Sequence, residues 1–143
     1  MKTADEIRGL EYDWIALDAE GRVALFSTAG AGFAPSAFLE ATDAYDGALA
    51  AILEGPATTV PRLAPDLASS MENTWRLAAE RGLFAFDCDP NGGPYRIVAA
   101  PMIPRLVGAM PPSVAAVISR IHLRWIRFDA VSTLTERELR GTK

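Results

Sequence analysis

The chain contains very little of two residue types on which much protein chemistry depends. It has one cysteine and one histidine in 143 residues. The single cysteine, Cys88, excludes a disulfide within the chain, and one cysteine with one histidine does not make a zinc site. The GxSxG and HExxH motifs of hydrolases are absent as well. The sequence therefore predicts no metal, no cofactor and no enzymatic activity.

Long hydrophobic runs are also missing. The longest nearly apolar run covers residues 97–104, contains two prolines and is too short to cross a bilayer. The first residues, which include Asp5 and Glu6, lack the apolar segment of a secretory signal. We therefore expect a cytoplasmic protein that has no membrane partner.

The composition is that of a folded domain. Half of the residues are apolar and 22% are charged. The length is close to the most common domain size, so one hydrophobic core is expected. We predict a single α+β domain over residues 1–134 and a mobile polar tail over residues 135–143.

Two glycine-containing turns organise the predicted fold. Gly21 lies between two runs of alternating apolar residues, and Asn91-Gly92-Gly93 lies between two more, so each pair of runs predicts a β-hairpin. The predicted strands cover residues 13–18, 23–28, 83–89, 95–100 and 121–128, and the predicted helices cover residues 36–53, 67–81 and 113–120. The fold class that follows is α+β, with a mainly antiparallel sheet built from hairpins and backed by two helices.

Charge is unevenly distributed along the chain. Residues 1–60 have ten acidic and three basic side chains, residues 61–143 have eight acidic and eleven basic ones, and the net charge is −4. Glu40, Asp43 and Asp46 repeat every three residues along one predicted helix and form an acidic stripe on it. Such a stripe is typical of a solvated helix face and equally of a surface that attracts a basic protein.

A second acidic pair comes from the predicted strand 83–89. Asp87 and Asp89 alternate onto the same side of this strand and flank Cys88. Two neighbouring negative charges raise the pKa of a thiol, which argues against a reactive cysteine. Aspartates at the end of a strand often cap the turn that follows. They are also our second choice, after the helical stripe, for contacts with a basic partner.

The segment Ser27–Gly32 follows a strand and precedes a helix, which is where a phosphate-binding loop would lie. The third glycine of a dinucleotide fingerprint is replaced by Pro35, and the GK[ST] of a P-loop is absent. Glycines in this place also let a chain leave a hairpin and enter a helix. A small-ligand or nucleotide-binding domain that uses the loop Gly30–Gly32 is therefore the alternative function.

Two further classes of function depend on residues near the C-terminus. An enzyme would need His122, the only histidine, together with a carboxylate. Nucleic-acid binding would need Arg120, Arg124 and Arg127 beside Trp125, but Arg124 and Arg127 fall on opposite faces of a strand and the chain is acidic overall. We expect no nucleic-acid partner, and the enzyme is the third hypothesis.

Three stretches of the sequence carry a resemblance to known proteins. They are DWIALDAEGRVALFSTAGAGFAP over residues 13–35, GLFAFDCD over residues 82–89 and GPYR over residues 93–96, and the Met110-Pro111-Pro112 element continues the likeness. These stretches resemble segments of small bacterial proteins that are similar to the immunity proteins of polymorphic toxin systems. The likeness covers most of residues 12–120, although Cys88 stands where the group has an aromatic residue.

The resemblance implies a protein that binds and neutralises a partner toxin inside the producing cell, by forming a complex and without a cofactor. Immunity surfaces differ from one toxin to the next, so no binding residue carries over. Because the chain is acidic, we expect a cognate toxin domain with a basic surface. The residues expected to contact it are Glu40, Asp43, Asp46, Asp87 and Asp89.

Overall fold

The computed structural model describes residues 2–64, 74–89 and 91–141. The described helices are α1 (Ala4–Ile7), α2 (Ser36–Leu39), α3 (Thr42–Glu54), α4 (Thr74–Glu80), α5 (Pro112–Ile118) and α6 (Glu136–Arg140). The described strands are β1 (Asp13–Leu17), β2 (Val23–Ser27), β3 (Pro61–Leu63), β4 (Phe84–Cys88), β5 (Tyr95–Pro101) and β6 (Thr133–Leu134). They form a single α+β domain, which is the fold class that the sequence predicts.

The six described strands form one curled, mixed sheet. Their order is β1-β2-β4-β5-β3, with β6 beside β5. Both predicted hairpins are present, as the antiparallel pairs β1–β2 and β4–β5, but β2 and β4 run parallel. The observed sheet and helices therefore match the predicted arrangement only roughly. A parallel pair lies within the sheet, and the described part of the chain has six helices, whereas the prediction is a sheet backed by two.

One face of the sheet is built from stacked aromatic rings. The register places Trp14, Phe26 and Phe86 side by side on three adjacent strands. The ring centroids of Trp14 and Phe26 are 4.1 Å apart, and those of Phe26 and Phe86 are 5.0 Å apart. The rings of Tyr95 and Phe128 meet Phe26 edge-on, and all five side chains are buried. Buried aromatic side chains remove a large apolar area from water, so these five rings contribute strongly to the stability of the core.

The opposite face of the sheet is covered by helices. α3 contacts β1, and α4 contacts β4 and β5. Ala79 of α4 packs against Ala85 and Ala99 of the sheet, and all three are buried. Such small side chains allow a helix to lie close to a sheet. The helical face is therefore apolar at its centre, and its polar residues lie at one end of β1, β2 and β4.

A buried carboxylate holds the first hairpin against the C-terminal part of the chain. Asp18 is fully buried, and its Oδ1 accepts the backbone N–H groups of Glu20 and Arg22 at 2.9 Å each. Its Oδ2 accepts the N–H of Phe128 at 2.9 Å and lies 3.4 Å from the Arg22 guanidinium. A buried charge is tolerated only when it is paired and hydrogen-bonded in this way.

The predicted helix over residues 36–53 is divided into α2 and α3. The Ala41 N–H binds the carbonyl oxygen of Phe38 at 3.0 Å, which tightens the last turn of α2, and Ala41 itself is outside the helical region with φ −148°. Glu40 is therefore the C-cap of α2 and does not share a helix with Asp43 and Asp46.

Two other helix predictions have different outcomes. The predicted helix 67–81 is observed from Thr74 onward as α4, and its predicted start with Asp66 as cap lies outside the described residues. The predicted helix 113–120 is confirmed as α5, which Pro112 opens.

The predicted strand over residues 121–128 is wrong. His122 forms one isolated parallel bridge with Leu17, and the chain then turns where the Ile126 N–H binds the carbonyl oxygen of Leu123. The apolar residues alternate here because their side chains are buried one after another along an irregular path, and not because they form a strand. A 3-10 turn, Phe128–Ala130, follows.

Residues 135–141, predicted as part of a polar tail, form a capped helix. The Thr135 side chain accepts the Glu138 N–H, and the Glu138 side chain accepts the Thr135 N–H, which is a capping box before α6. Leu139 is buried in the main core. The stretch is otherwise polar, so its composition does not indicate that Leu139 anchors it in the core.

No helix in the described ranges is long and apolar enough to cross a membrane.

The glycine-rich bend after β2 is shaped by a close contact with Tyr95. The Tyr95 hydroxyl donates to the carbonyl oxygen of Phe33 at 2.6 Å and accepts from Trp14 Nε1 at 3.2 Å. A Cβ on Gly32 would lie 2.6 Å from this hydroxyl oxygen and 3.0 Å from the Cβ of Cys88. The glycine at this position is therefore required by packing.

We predict that Gly32→Ala destabilises the protein by about 2 kcal/mol, because the added methyl group overpacks the contact with Tyr95. Urea unfolding measures the change in the free energy of unfolding. Gly47→Ala is the matched control. A Cβ on Gly47, inside α3, meets nothing within 4 Å, so the control should be stabilised by about 0.5–1 kcal/mol. Equal effects of the two substitutions would contradict this account.

Candidate functional site

Three polar side chains form a row across β1, β2 and β4. The register pairs Asp13 with Ser27 and Ser27 with Asp87, so all three side chains stand on the helical face of the sheet. The Ser27 hydroxyl donates to Asp13 Oδ1 at 2.6 Å and accepts from Nε1 of Trp75 in α4 at 3.0 Å. The row is therefore fixed both by the strands and by a helix packed on them.

This row lines a cleft of about 370 Å³. Glu11, just before β1, adds a third carboxylate, and Ala29, Thr74 and Trp75 complete the lining. The volume is at the small end of the range for ligand-binding sites. A small cleft with three carboxylates and an indole ring is suited to a cationic group.

The pKa of Asp87 is raised to about 6. Burial is the largest cause, because it removes water from the ionised carboxylate, and the negative charges of Glu11, Asp13 and Asp89 add to it. A hydrogen bond from the Cys88 backbone opposes the shift. Asp87 is therefore partly protonated near pH 6 in the free protein.

The pKa of Asp13 is raised as well. Burial is again the largest cause, the hydrogen bond from Ser27 lowers the pKa, and the charges of Glu11 and Asp46 raise it. The pKa of Asp46, an exposed residue of α3, is also raised, first because its carboxyl group is partly shielded from water and then because of the charge of Asp43. The pKa of Asp13 thus depends on α3 as well as on the neighbouring residues of the sheet.

Four of the five acidic residues proposed from the sequence are joined by these electrostatic contacts into one acidic surface. This acidic surface consists of Glu11, Asp13, Asp43, Asp46, Asp87 and Asp89. Among the described residues, none of its carboxylates forms an ion pair. Glu40 is exposed at the end of α2, and none of these contacts includes it.

Reasoning from the sequence did not assign Glu11 and Asp13 to this surface. Asp13 lies in the same row as Asp87 only because β2 and β4 pair in parallel, which no local pattern indicates. The polar residues at matching ends of β1 and β2, Asp13 and Ser27, are the one signal in the sequence that could have indicated a polar site there.

The described residues give less support to a metal site, a reactive cysteine or a catalytic histidine. Within the described ranges, no group of three or more His, Cys, Asp or Glu side chains is arranged to hold a metal ion. Cys88 is buried and its pKa is raised, by burial first and then by the charge of Asp87. His122 pairs beside Leu17, at the opposite end of β1 from Asp13, which separates it from the row of carboxylates by about 13 Å.

The loop Gly30–Gly32 uses its backbone amides internally. The carbonyl oxygen of Thr28 accepts the N–H groups of Ala31 and Gly32 at 3.1 and 2.8 Å, and α2 beyond the loop has only four residues. A pocket of about 190 Å³ lies beside the loop, but its two guanidinium groups, from Arg8 and Arg140, pair with Asp5 and Glu136. Few donors are left there for a phosphate group.

No protein-family model, curated protein or solved structure matches this chain.

We predict that Asp87→Asn stabilises the protein at pH 7 by about 1 kcal/mol, less than the full pKa shift implies because solvent screens a partly exposed carboxylate. The folded protein holds this proton more tightly than the unfolded chain does, so ionisation of Asp87 opposes folding. The destabilisation is absent below about pH 4 and complete above pH 6. The gain from Asp87→Asn should therefore grow between these pH values.

Urea unfolding at a series of pH values measures this gain. Glu20→Gln is the control, because Glu20 is exposed in the turn at the other end of β1. It removes one negative charge at a distance from the cleft, and the gain in Asp87→Asn is compared with it at each pH. A loss of stability in Asp87→Asn at pH 7 would contradict the assignment of Asp87 as an unfavourably buried carboxylate.

Proposed function

We propose that this protein is an immunity-type protein that binds a bacterial toxin through the acidic surface and blocks it by forming a complex. The observation that carries the proposal is the set of six carboxylates without an ion pair among the described residues, three of them with raised pKa values. The resemblance of residues 13–35, 82–89 and 93–96 to small bacterial proteins that are similar to immunity proteins supports it.

The electrostatics of the acidic surface favour a basic partner. The free protein holds several negative charges close together, partly out of water, and their repulsion opposes folding. A lysine or arginine from the partner would offset this repulsion and lower the raised pKa values of Asp13 and Asp87, because an opposite charge favours the ionised carboxylate. Part of the binding energy therefore comes from relief of the electrostatic repulsion that is present among the carboxylates of the free protein.

The cleft gives this surface an anchoring point. A guanidinium or ammonium group placed between Asp13 and Asp87 would also contact the Trp75 ring, which adds a cation–π interaction. Buried contacts of arginine with aromatic and acidic side chains often dominate the energy of an interface. Asp43, Asp46 and Asp89 are exposed around the cleft, where they would steer a basic surface toward it.

The chemistry of such a complex needs no cofactor and no catalysis. The proposal includes the cytoplasm of the toxin-producing cell as the place where the protein acts, because an unneutralised toxin would act there. Glu40 contributes to the general negative field at most, because it is on a separate helix. The second candidate function, a small-ligand or nucleotide site at Gly30–Gly32, has only the pocket beside the loop in its favour.

We predict that the protein forms a one-to-one complex with the product of a neighbouring gene and suppresses its toxicity on co-expression. Asp46→Lys combined with Asp89→Lys should slow association about tenfold or more at low salt, because both exposed residues belong to the acidic surface. Stopped-flow association at several salt concentrations measures this rate.

Glu20→Lys combined with Glu54→Lys is the matched control for that rate. Both glutamates are exposed and outside the acidic surface, and the double substitution changes the net charge by the same amount. The proposal fails if no neighbouring gene product is toxic, if its toxicity is not relieved, or if the control slows association as much as the test variant does.

We also predict that nucleotides and inorganic phosphate leave the melting temperature unchanged, since the amides of the Gly30–Gly32 loop are already bonded. Thermal-shift measurements with ATP, GTP, NAD and phosphate test this directly. A clear rise in melting temperature with any of them, lost in Arg8→Ala, would place the ligand-binding function first.

A further inference from the structure

An apolar groove of about 750 Å³ lies between the turn after residue 124 and the C-terminal helix. Its lining includes the apolar side chains of Trp125, Ile126, Ala130, Val131 and Leu134. Trp125 is 53% exposed, and its Nε1 donates to the carbonyl oxygen of Glu138 in α6. None of these residues belongs to the acidic surface.

Trp125 is held in position and is not a loose surface side chain. Gly141 follows α6 with φ +76°, and a Cβ at this position would lie 3.0 Å from the Trp125 ring. The ring therefore rests on the backbone at the end of the helix. A large aromatic side chain that is fixed and half exposed is typical of a residue that anchors an interface.

The charged groups of the groove leave it with an excess of positive charge. Arg137 makes no ion pair with any described residue. Arg127 lies 3.7 Å from Asp129, a carboxylate that also binds Arg22 at 3.2 Å. Glu138 is the one carboxylate among the described lining residues; its Oε1 accepts the N–H and the hydroxyl of Thr135 in the capping box, which fixes the carboxylate without neutralising it. Two guanidinium groups thus border the apolar floor against one lining carboxylate, which leaves the lining with a small excess of positive charge.

We propose that this groove binds a peptide segment of a protein partner in which an aromatic or aliphatic side chain is flanked by carboxylates. The apolar side chain fills the groove beside Trp125, and the carboxylates pair with Arg137 and Arg127. The charge of this surface is opposite to that of the acidic surface. The groove therefore selects a different partner segment from the basic surface of the proposed toxin, and the inference does not depend on the proposed function.

The groove offers two substitutions at exposed positions that should leave the fold intact. Ala130→Glu introduces a negative charge and bulk into the groove, and Arg137→Glu reverses the charge at its border. Ala116→Glu on α5 and Arg62→Glu on β3 are the matched controls, because both residues are exposed and outside the groove. Thermal unfolding verifies that all four variants fold.

The test is selection from a phage-displayed library of short random peptides on the full chain. We expect enrichment of sequences that combine an aromatic or aliphatic residue with Asp or Glu. The enriched peptide, synthesised with a fluorophore, should bind about tenfold more weakly to Ala130→Glu and to Arg137→Glu than to either control. Its affinity should fall with added salt.

Three results would overturn the inference. They are the absence of any enriched motif, an enriched motif without acidic residues, and binding that survives both groove substitutions. A second copy of this chain could also occupy the groove, and light scattering with size-exclusion chromatography tests for it by measuring the molar mass in solution. Self-association that Ala130→Glu abolishes would show that the groove is covered by another copy instead of a peptide from a different protein.

Discussion

The parallel pairing of β2 with β4 is the constraint on which the rest of the structure depends. It brings together two hairpins that are far apart in the sequence and aligns Phe26 with Phe86 on one face and Ser27 with Asp87 on the other. The aromatic face supplies the buried area that stabilises the domain. The same register places carboxylates from β1 and β4 beside one serine. Stability and the candidate site therefore have a single structural origin.

The two faces also explain how the protein tolerates its acidic surface. Partly buried carboxylates that repel one another cost free energy, and the raised pKa values of Asp13 and Asp87 show this cost. The stacked rings on the opposite face and the fully bonded Asp18 at the other end of the first hairpin offset it. A surface that is unfavourable in the free protein but lies on a rigid sheet is well suited to bind a cationic partner without rearrangement.

Local sequence patterns predict the local structure of this chain and miss its long-range pairing. The turn glycines Gly21 and Gly92 adopt positive φ in the two hairpins that they predict. The apolar spacing of residues 121–128 predicts a strand although their path is irregular, because such spacing does not distinguish a strand from side chains buried one by one. The sequence indicates Asp87 by its charge but does not connect it with Asp13, since only the parallel register places the two in one row on either side of Ser27.

The most direct test of the account is the pKa of the Asp87 carboxyl group, measured by carbon-13 NMR in the free protein and in its complex with the toxin domain. We expect a pKa of about 6 in the free protein. In the complex it should fall by more than about one unit, because a partner cation in the cleft favours the ionised carboxylate. An ordinary aspartate pKa in the free protein, or a raised pKa that is the same in the complex, would contradict the central claim.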